Sequence, residues 1–481
     1  MSAITLRADA CVIGAGAGGA VLAAELAEGG MDVILLEQGP EHDADTFSAR
    51  PPEMLARLYR DGGQTATLGN PPIGLPLGSG LGGTTVINSG TCFRTPSHVL
   101  ERWNSEFGLE QLDADSLTPC FERVERALSV AEVTPELAGA NAAVARRGAE
   151  LLGWSHGYLR RNAKGCVGSG VCAFGCPTSA KQHTGITYIP RARDAGARIL
   201  TGTDVTRIEV GGGRARGVQA RAGGDRLHVD APRVIVAAGT IGTPLLLARS
   251  GLGAASGQLG RNLSLHPATA VVALMNEIVD MAVGVPQSFY VDEFAPQGIM
   301  FEGIAGPPAY AAMSLPLSGR RHTEVMSQYR HLAQFGLMVS DSSRGSVSSL
   351  LGRPLVRYDL SRDDVDRFRS GLARCKQLFD AAGAREVYLP LPAGRAPDQA
   401  RARDLKLVGF HPLGTARADA RPTHGVVDGD LALHGLGGVY VADGSVVPSS
   451  LGVNPQLTIM ALATRLALSL LACLASRSNG K

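Results

Sequence analysis

Three groups of residues in this 481-residue chain have types and spacings that could do chemistry. The first is a glycine turn, Gly14, Gly16 and Gly19, set between the apolar run Cys11-Val12-Ile13 and a second run, Asp32-Val33-Ile34-Leu35-Leu36, that ends at Glu37. In that spacing the first glycine permits a tight turn, the second lets the backbone approach a pyrophosphate, and the third lets a helix pack closely on its strand. The pyrophosphate then lies at the helix N-terminus, where free N–H groups and the helix dipole favour negative charge. An acid at the end of the second strand accepts ribose hydroxyls. The pattern predicts a bound dinucleotide; a glycine-rich helix cap would leave Glu37 without a role.

The second group is Cys166, Cys172 and Cys176 in the run from Gly165 to Pro177. With a cysteine in place of Ser169 this would be the ferredoxin spacing, whose thiolates hold iron–sulfur clusters. Three thiolates suffice for a 3Fe-4S cluster. The alternatives are a loop of small residues that merely packs, or a relic that lost its cluster with the missing cysteine. The third group lies near the C-terminus: His411 before Pro-Leu-Gly-Thr, Asp443-Gly444 after an apolar run, and Asn454-Pro455-Gln456. A neutral imidazole can take a hydroxyl proton near neutral pH, although a lone loop histidine is more often structural. Asp443 and Gly444 end a strand at the carboxyl edge of a sheet, where ligands of open α/β folds bind. Asn454-Pro455 opens a helix whose N-terminus favours electron density nearby.

These residues need an α/β scaffold, and the composition suits a soluble globular protein with a core large enough to build one. Hydrophobic residues make up 44% of the chain and charged residues 19%, enough for a large core and for two or three domains, or a discontinuous two-domain enzyme. Lys+Arg of 46 against Asp+Glu of 44, with no long basic run, argues against a nucleic-acid partner. The start, MSAITLRADA, shows no export signal, so a cytoplasmic location is expected. The apolar stretch 459–474 is interrupted by Thr464, Arg465 and Ser469, and reads as a buried helix, not a transmembrane segment. The eight cysteines, in a chain without a signal peptide, argue for reduced thiols or a metal site over disulfides.

Along the chain, a loop-rich stretch leads to Gly78–Gly90, where glycines beside Thr and Asn suit a backbone pressed against a ligand. Residues 96–152 read as polar-faced helices packed through Leu100, Phe107, Leu109 and Leu112. A helix ending near Ala195 precedes a strand at 197–200, and an antiparallel pair turns at Gly211-Gly212-Gly213-Arg214. The apolar run Val234-Ile235-Val236 ends in small residues, Ala237 and Ala238, as expected beside a nucleotide. A helix with Pro244 in its first turn follows. Residues 268–400 read as a mostly antiparallel sheet covered by helices, one of them 363–382. Phe289, Tyr290, Met300, Phe301, Tyr310, Met313 and Phe335 are candidates for an apolar pocket, each equally suited to a core. Glu302 and Asp341 are the acids that could form its polar wall, and His266 reads as a packed histidine.

Several of these segments resemble the glucose–methanol–choline (GMC) flavin oxidoreductases. Gly83, Thr84 and Asn88 match that family's flavin-lining Gly-Gly-Ser/Thr-x-x-x-Asn segment. Gly239–Gly253 matches its second signature over the full length, and Gly260–Pro267 resembles its crossing into the second domain. The three C-terminal segments are similar to its active site, with Ala418 standing where many members have methionine. The resemblance covers residues 8–40, 76–96, 165–262 and 405–475. It implies FAD held by Gly14, Gly16, Gly19, Glu37, Gly83, Thr84, Asn88, Val205 (which would meet the adenine through its backbone), Ala238, Asp443, Gly444, Pro455 and Gln456. It implies His411 as the catalytic histidine and Asn454 as its partner on the substrate hydroxyl. That His–Asn pairing, with Gly-Val-Asn-Pro-Gln-x-Thr, resembles cholesterol oxidases and long-chain alcohol oxidases more than sugar oxidases.

The resemblance further implies a Rossmann-like FAD-binding domain formed discontinuously by residues 1–265 and 405–481, with 97–160 as a helical connecting or lid layer. Residues 266–404 would then form the antiparallel-sheet substrate domain. The expected reaction is FAD-dependent oxidation of a hydrophobic or aromatic alcohol to an aldehyde or ketone. His411 would remove the hydroxyl proton, Asn454 would hold the oxygen, and hydride would pass to flavin N5. Oxygen, a quinone and a cytochrome all stay open as the electron acceptor. Two other readings fit the same fold: a redox-neutral lyase, and a flavin subunit that passes electrons through a cluster at Cys166, Cys172 and Cys176, as in some hexose dehydrogenases of the family.

Overall fold

A five-stranded parallel sheet runs in the order Val439–Val441, Val234–Val236, Ala10–Ile13, Val33–Leu36, Arg198–Leu200 in the computed structural model, which describes residues 3–342 and 344–478. Parallel sheets are covered on both faces, so their inner strands read as unbroken apolar runs. Ala10–Ile13, Val33–Leu36 and Val234–Val236 are buried throughout. The helix Ala17–Glu28 follows the glycine turn and is buried at every residue from Gly18 to Ala27. It lies between that sheet and the C-terminal helix Gln456–Ser478, which also packs on Ala114–Ala127. The segment Gln456–Ala475 is long and apolar enough to cross a membrane, with a mean hydropathy of 2.0. More than half of it is buried against the rest of the chain, which is the core-helix reading of this stretch.

A four-stranded sheet, Ala3–Arg7, Asp225–Asp230, Arg214–Ala222, Thr203–Gly211, flanks the first. Its last two strands form the expected antiparallel pair, with Gly212 and Gly213 at positive φ in the turn. The largest sheet has eight strands and is mostly antiparallel. It is built on Pro267–Leu274, Leu332–Val339, Ile299–Gly303 and Phe289–Val291, backed by the helix Arg362–Ala381. Short strands from distant parts of the chain complete it: Ile73–Gly74, His156–Tyr158, Glu386–Tyr388 and Leu407–Gly409. The region 97–152 is helical, as Ser97–Phe107, Ala114–Ala127 and Pro135–Leu152.

The helix Gly239–Arg249 starts earlier than its proline suggests, and Pro244 sits inside it. A proline has no N–H for the carbonyl four residues back. Here that carbonyl, Thr240 O, accepts the Thr415 hydroxyl at 2.6 Å, so a side chain from the C-terminal region repairs the helix. Both Thr240 and Thr415 are buried, and an orphaned buried carbonyl costs about 1–3 kcal/mol. Thr415→Val is expected to lower stability by that amount in denaturant unfolding. Adding Pro244→Ala, which returns the missing N–H, is expected to recover part of the loss; simple additivity of the two changes would refute this account.

Candidate active site

One cavity of about 1730 Å³ runs along the carboxyl edge of the parallel sheet and under the large sheet. The glycine turn forms part of its wall, and the reason for each glycine is visible. A Cβ on Gly14 would lie 2.3 Å from Ala237 O, one on Gly18 1.8 Å from Ala442 O, and one on Gly19 1.9 Å from Gly14 O. At Gly16 a Cβ would meet nothing within 4 Å, because that position faces the cavity. The helix that follows has no side-chain cap and no acid in its first turn, so its N–H groups are free for an anion. Glu37 lines the cavity and also braces the turn: its carboxylate accepts Ala15 N–H and Gly39 N–H, both at 2.8 Å. Burial pushes its pKa up against those two hydrogen bonds.

Gly83, Thr84, Asn88, Val205, Ala238, Gly444, Pro455 and Gln456 line the same cavity. Asn88 Nδ2 donates to Gln456 Oε1, joining the loop after the glycine-rich segment to the start of the C-terminal helix. Asp443 is the junction of the carboxyl edge. Its oxygens accept Gly239 N–H at 2.9 Å, the Thr243 hydroxyl at 2.5 Å and Ser445 N–H at 2.8 Å, tying the ends of two neighbouring strands together. Gln456 Nε2 is buried without a partner in the chain. A long cavity with an uncapped helix N-terminus, a ribose-compatible acid and orphaned polar atoms fits a dinucleotide carrying a polar ring system.

The structure brings His411 and Asn454 together. His411 leaves the strand Leu407–Gly409, Asn454 precedes the helix Gln456–Ser478, and Asn454 Nδ2 lies 3.3 Å from His411 Nε2. The same amide donates to Glu302 Oε2 at 3.4 Å. Gln287 Nε2 donates to that oxygen at 2.5 Å, and the Thr91 hydroxyl donates to Gln287 Oε1 at 2.7 Å. Three atoms of this network are buried with no partner: His411 Nδ1, Asn454 Oδ1 and Glu302 Oε1. Burial lowers His411 from 6.5 to about 3 and raises Glu302 from 4.5 to about 7. The histidine is therefore neutral over the working range, and the carboxyl titrates within it.

Glu302 lies on the strand Ile299–Gly303 and not in a loop. A lone acid in the apolar run Ile-Met-Phe-Glu-Gly was the available signal; Gln287 and Thr91 gave none. Successive strand residues face opposite ways, so Phe301 packs in the core while Glu302 meets the cavity. Of the proposed apolar wall, Tyr310 and Met313 do line the cavity. Phe289, Phe301 and Phe335 are core residues of the large sheet, Met300 is buried on the face of that sheet opposite Phe301, and Tyr290 packs edge-on against Phe93. Asp341 is a scaffold acid, accepting Leu265 N–H, His266 N–H and the Tyr358 hydroxyl. It holds His266 in a left-handed conformation at φ +46°. His266 Nε2 then accepts Leu451 N–H at 2.8 Å and Gly452 N–H at 3.1 Å, fixing the loop that delivers Asn454.

The three cysteines do not form a ligand set, and among the described residues no group of three His, Cys, Asp or Glu side chains could hold a metal ion. The run is threaded against Ala282–Gly284 instead of wrapping around a centre. Ser169 bridges Gly284, and a Cβ on Gly170 would lie 2.1 Å from Ala282 O. Cys166 packs beside the core of the large sheet, Cys172 Sγ accepts Arg161 Nη2 at 3.2 Å, and Cys176 Sγ accepts Lys181 N–H at 3.4 Å. Of the readings open for this run, the arrangement fits the loop of small residues that packs and gives the 3Fe-4S cluster no support.

Comparison with known proteins bears on the whole chain. Models of the GMC oxidoreductase family match residues 55–268 and 341–463, and a model of an NAD(P)-binding Rossmann-like domain matches residues 12–69. An uncharacterized GMC-type oxidoreductase of Mycobacterium tuberculosis is 42% identical over 96% of this chain and 75% of its own length. A long-chain-alcohol oxidase of Arabidopsis thaliana is 28% identical over 95% of this chain and 66% of its own. The crystal structure of pyridoxine 4-oxidase from Mesorbium loti superposes with a TM-score of 0.76 at 20% identity, covering 96% of this chain and 98% of that one, a likeness of fold.

The buried carboxyl of Glu302 gives the site a stability signature. Its folded-state pKa, about 7, lies above the unfolded value of 4.5. The stability it contributes is full below pH 4.5 and is lost as pH rises through 7, to a cost of about 3 kcal/mol when ionised. Glu302→Gln is expected to unfold at a higher temperature than the wild type at pH 8, with the difference shrinking toward pH 5. Calorimetry showing the same gap at both values would contradict the assignment.

Proposed function

The chain belongs to the GMC oxidoreductase family and is an oxidoreductase; from that premise we propose that it uses FAD to oxidise a hydrophobic primary or secondary alcohol to the aldehyde or ketone. The observation that carries this reading is the 3.3 Å pairing of His411 Nε2 with the Asn454 amide in the same cavity that the glycine turn lines. FAD would be held by Gly14, Gly16 and the helix N-terminus at its pyrophosphate and by Glu37 at its ribose. Val205 would lie at the adenine, with Ala238, Asp443 and Gly444 along the carboxyl edge. Gly83, Thr84, Asn88, Pro455 and Gln456 would flank the ring system. Bound there, it supplies the hydride acceptor.

The chain's own residues do the rest. Neutral His411 accepts the hydroxyl proton at Nε2, a task suited to a base that burial keeps unprotonated. Asn454 holds the hydroxyl oxygen so that its carbon faces the acceptor, which is a positioning effect. Glu302, itself held by Gln287, fixes the Asn454 amide; when ionised it makes that hydrogen bond charge-assisted and tighter. The cavity beyond them is lined by Leu55, Tyr59, Leu77, Phe174, Tyr310 and Met313. Such a wall favours an alcohol with an apolar body, in keeping with the long-chain-alcohol oxidases among the relatives.

The test is anaerobic mixing of the holoenzyme with long-chain, aromatic and sterol alcohols while the visible flavin band is followed. Bleaching by one class is expected. Aldehyde released with the band intact would replace this reading with a redox-neutral cleavage. His411→Ala is expected to keep FAD and to slow bleaching about 10²–10⁴-fold; an unchanged rate would remove His411 from the chemistry. In the wild type the bleaching rate is expected to rise as pH passes through about 7, following ionisation of Glu302. That limb is expected to vanish in Glu302→Gln, with no further fall down to pH 5, because His411 stays neutral there.

A further inference from the structure

Behind the loop Val86–Thr91, which forms one wall of the cavity, lie two buried cations that this chemistry leaves unused. Lys181 is 1% exposed and Arg161 2%. Lys181 Nζ donates to Val86 O at 2.6 Å, to Asn88 O at 2.6 Å and to Cys172 O at 2.7 Å. Three acceptors around one nitrogen call for the three N–H bonds of an ammonium; a neutral amine has two. Arg161 Nε donates to Ser89 O at 2.9 Å, and its Nη2 donates to the same carbonyl and to Cys172 Sγ. The ionisable groups that face Lys181 are Cys172, Cys176, Arg161 and His183, and none is a carboxylate. Burial lowers the ammonium to about 8, with the thiols opposing that shift, so it carries its charge at neutral pH.

A buried cation without a counter-ion is costly, and this chain places two of them side by side. Every oxygen that neutralises them is a backbone carbonyl, and those of Val86, Asn88 and Ser89 belong to one loop. The two ends of a trans peptide point in opposite directions. With Asn88 O aimed at Lys181, the N–H of Ser89 points away from it, and Ser89 lines the cavity. The cations thus polarise the Asn88–Ser89 peptide so that its N–H end is turned away from them on the wall of the cavity, in a setting where burial leaves their field weakly screened.

We infer that Lys181 and Arg161 are a built-in counter-charge for the cofactor, stabilising the negative charge that a flavin carries once reduced. This rests on FAD occupying the cavity and not on the identity of the alcohol. No acid was available for the purpose, since a carboxylate beside Lys181 would cancel the field that the loop transmits.

Sulfite titration of the holoenzyme at pH 7 tests this without any alcohol. Sulfite forms an S–N5 bond with the flavin through its own electron pair, leaves negative charge over N1 and the C2 carbonyl, and bleaches the visible band. Lys181→Met and Arg161→Met are each expected to weaken sulfite binding about tenfold or more, while Lys181→Arg stays close to the wild type. Unchanged sulfite affinity in either neutral variant would overturn the proposal. A neutral variant that folds with the wild-type circular dichroism and melting temperature but holds no FAD overturns it, because the oxidised ring is uncharged and a counter-charge for the reduced form is not needed to hold it. Loss of FAD from Lys181→Arg as well would make Lys181 a structural clamp and overturn it. If sulfite behaves as expected while no alcohol bleaches the flavin, the counter-charge stands and the alcohol reading falls.

Discussion

The structure depends on backbone approaching backbone more closely than any side chain allows. At Gly14, Gly18 and Gly19 the glycine turn touches Ala237 O, Ala442 O and its own preceding carbonyl at distances where a Cβ could not exist. Those contacts seat the helix Ala17–Glu28 against the carboxyl ends of the strands Val234–Val236 and Val439–Val441. They leave Gly16 as the face turned to the cavity. Asp443 then joins the same two strand ends through Gly239, Thr243 and Ser445. The cavity follows from this geometry, because the strand order diverges where the glycines permit close packing.

Burial gives the reaction side its character. One low-dielectric chamber moves two groups in useful directions: it strips the proton from His411 and returns one to Glu302 near neutral pH. Neither shift comes from an opposing charge. Glu302 is softened only by the amides of Asn454 and Gln287, which leaves its ionisation poised instead of fixed. His266 and Asp341 lie one step behind. They hold a strained backbone and two loop N–H groups so that Asn454 meets His411. The chain spends stability at these positions to keep a preorganised arrangement.

Local patterns made much of this readable. The alternation of apolar strand, glycine turn and helix placed the parallel sheet, and the antiparallel pair at Gly212-Gly213 followed from turn chemistry. His411 and Asn454 stood out by resemblance alone. Patterns misled where a contact from elsewhere in the chain decided the outcome. Pro244 looked like a helix start because the Thr415 hydroxyl that tolerates it inside the helix comes from the far end of the sequence. The cysteine spacing left a cluster and a packed loop both open because nothing local shows that Gly168–Gly170 lies flat against Ala282–Gly284. The aromatic residues of the large sheet could be read as pocket or as core because strand alternation gives two faces without saying which one meets the cavity.

By itself the sequence determined most of the elements, the glycine turn and the family, since each rests on spacings of a few residues that fix backbone conformation and close packing. Tertiary structure alone decided the polar network. Thr91, Gln287, Glu302, His411 and Asn454 come from five separate stretches, and sheet register brings them within hydrogen-bonding reach. It alone decided the charge states as well. A histidine, a glutamate and a lysine carry their ordinary pKa values in the unfolded chain, and only the loss of water around them in the folded one moves His411 down, Glu302 up and Lys181 down.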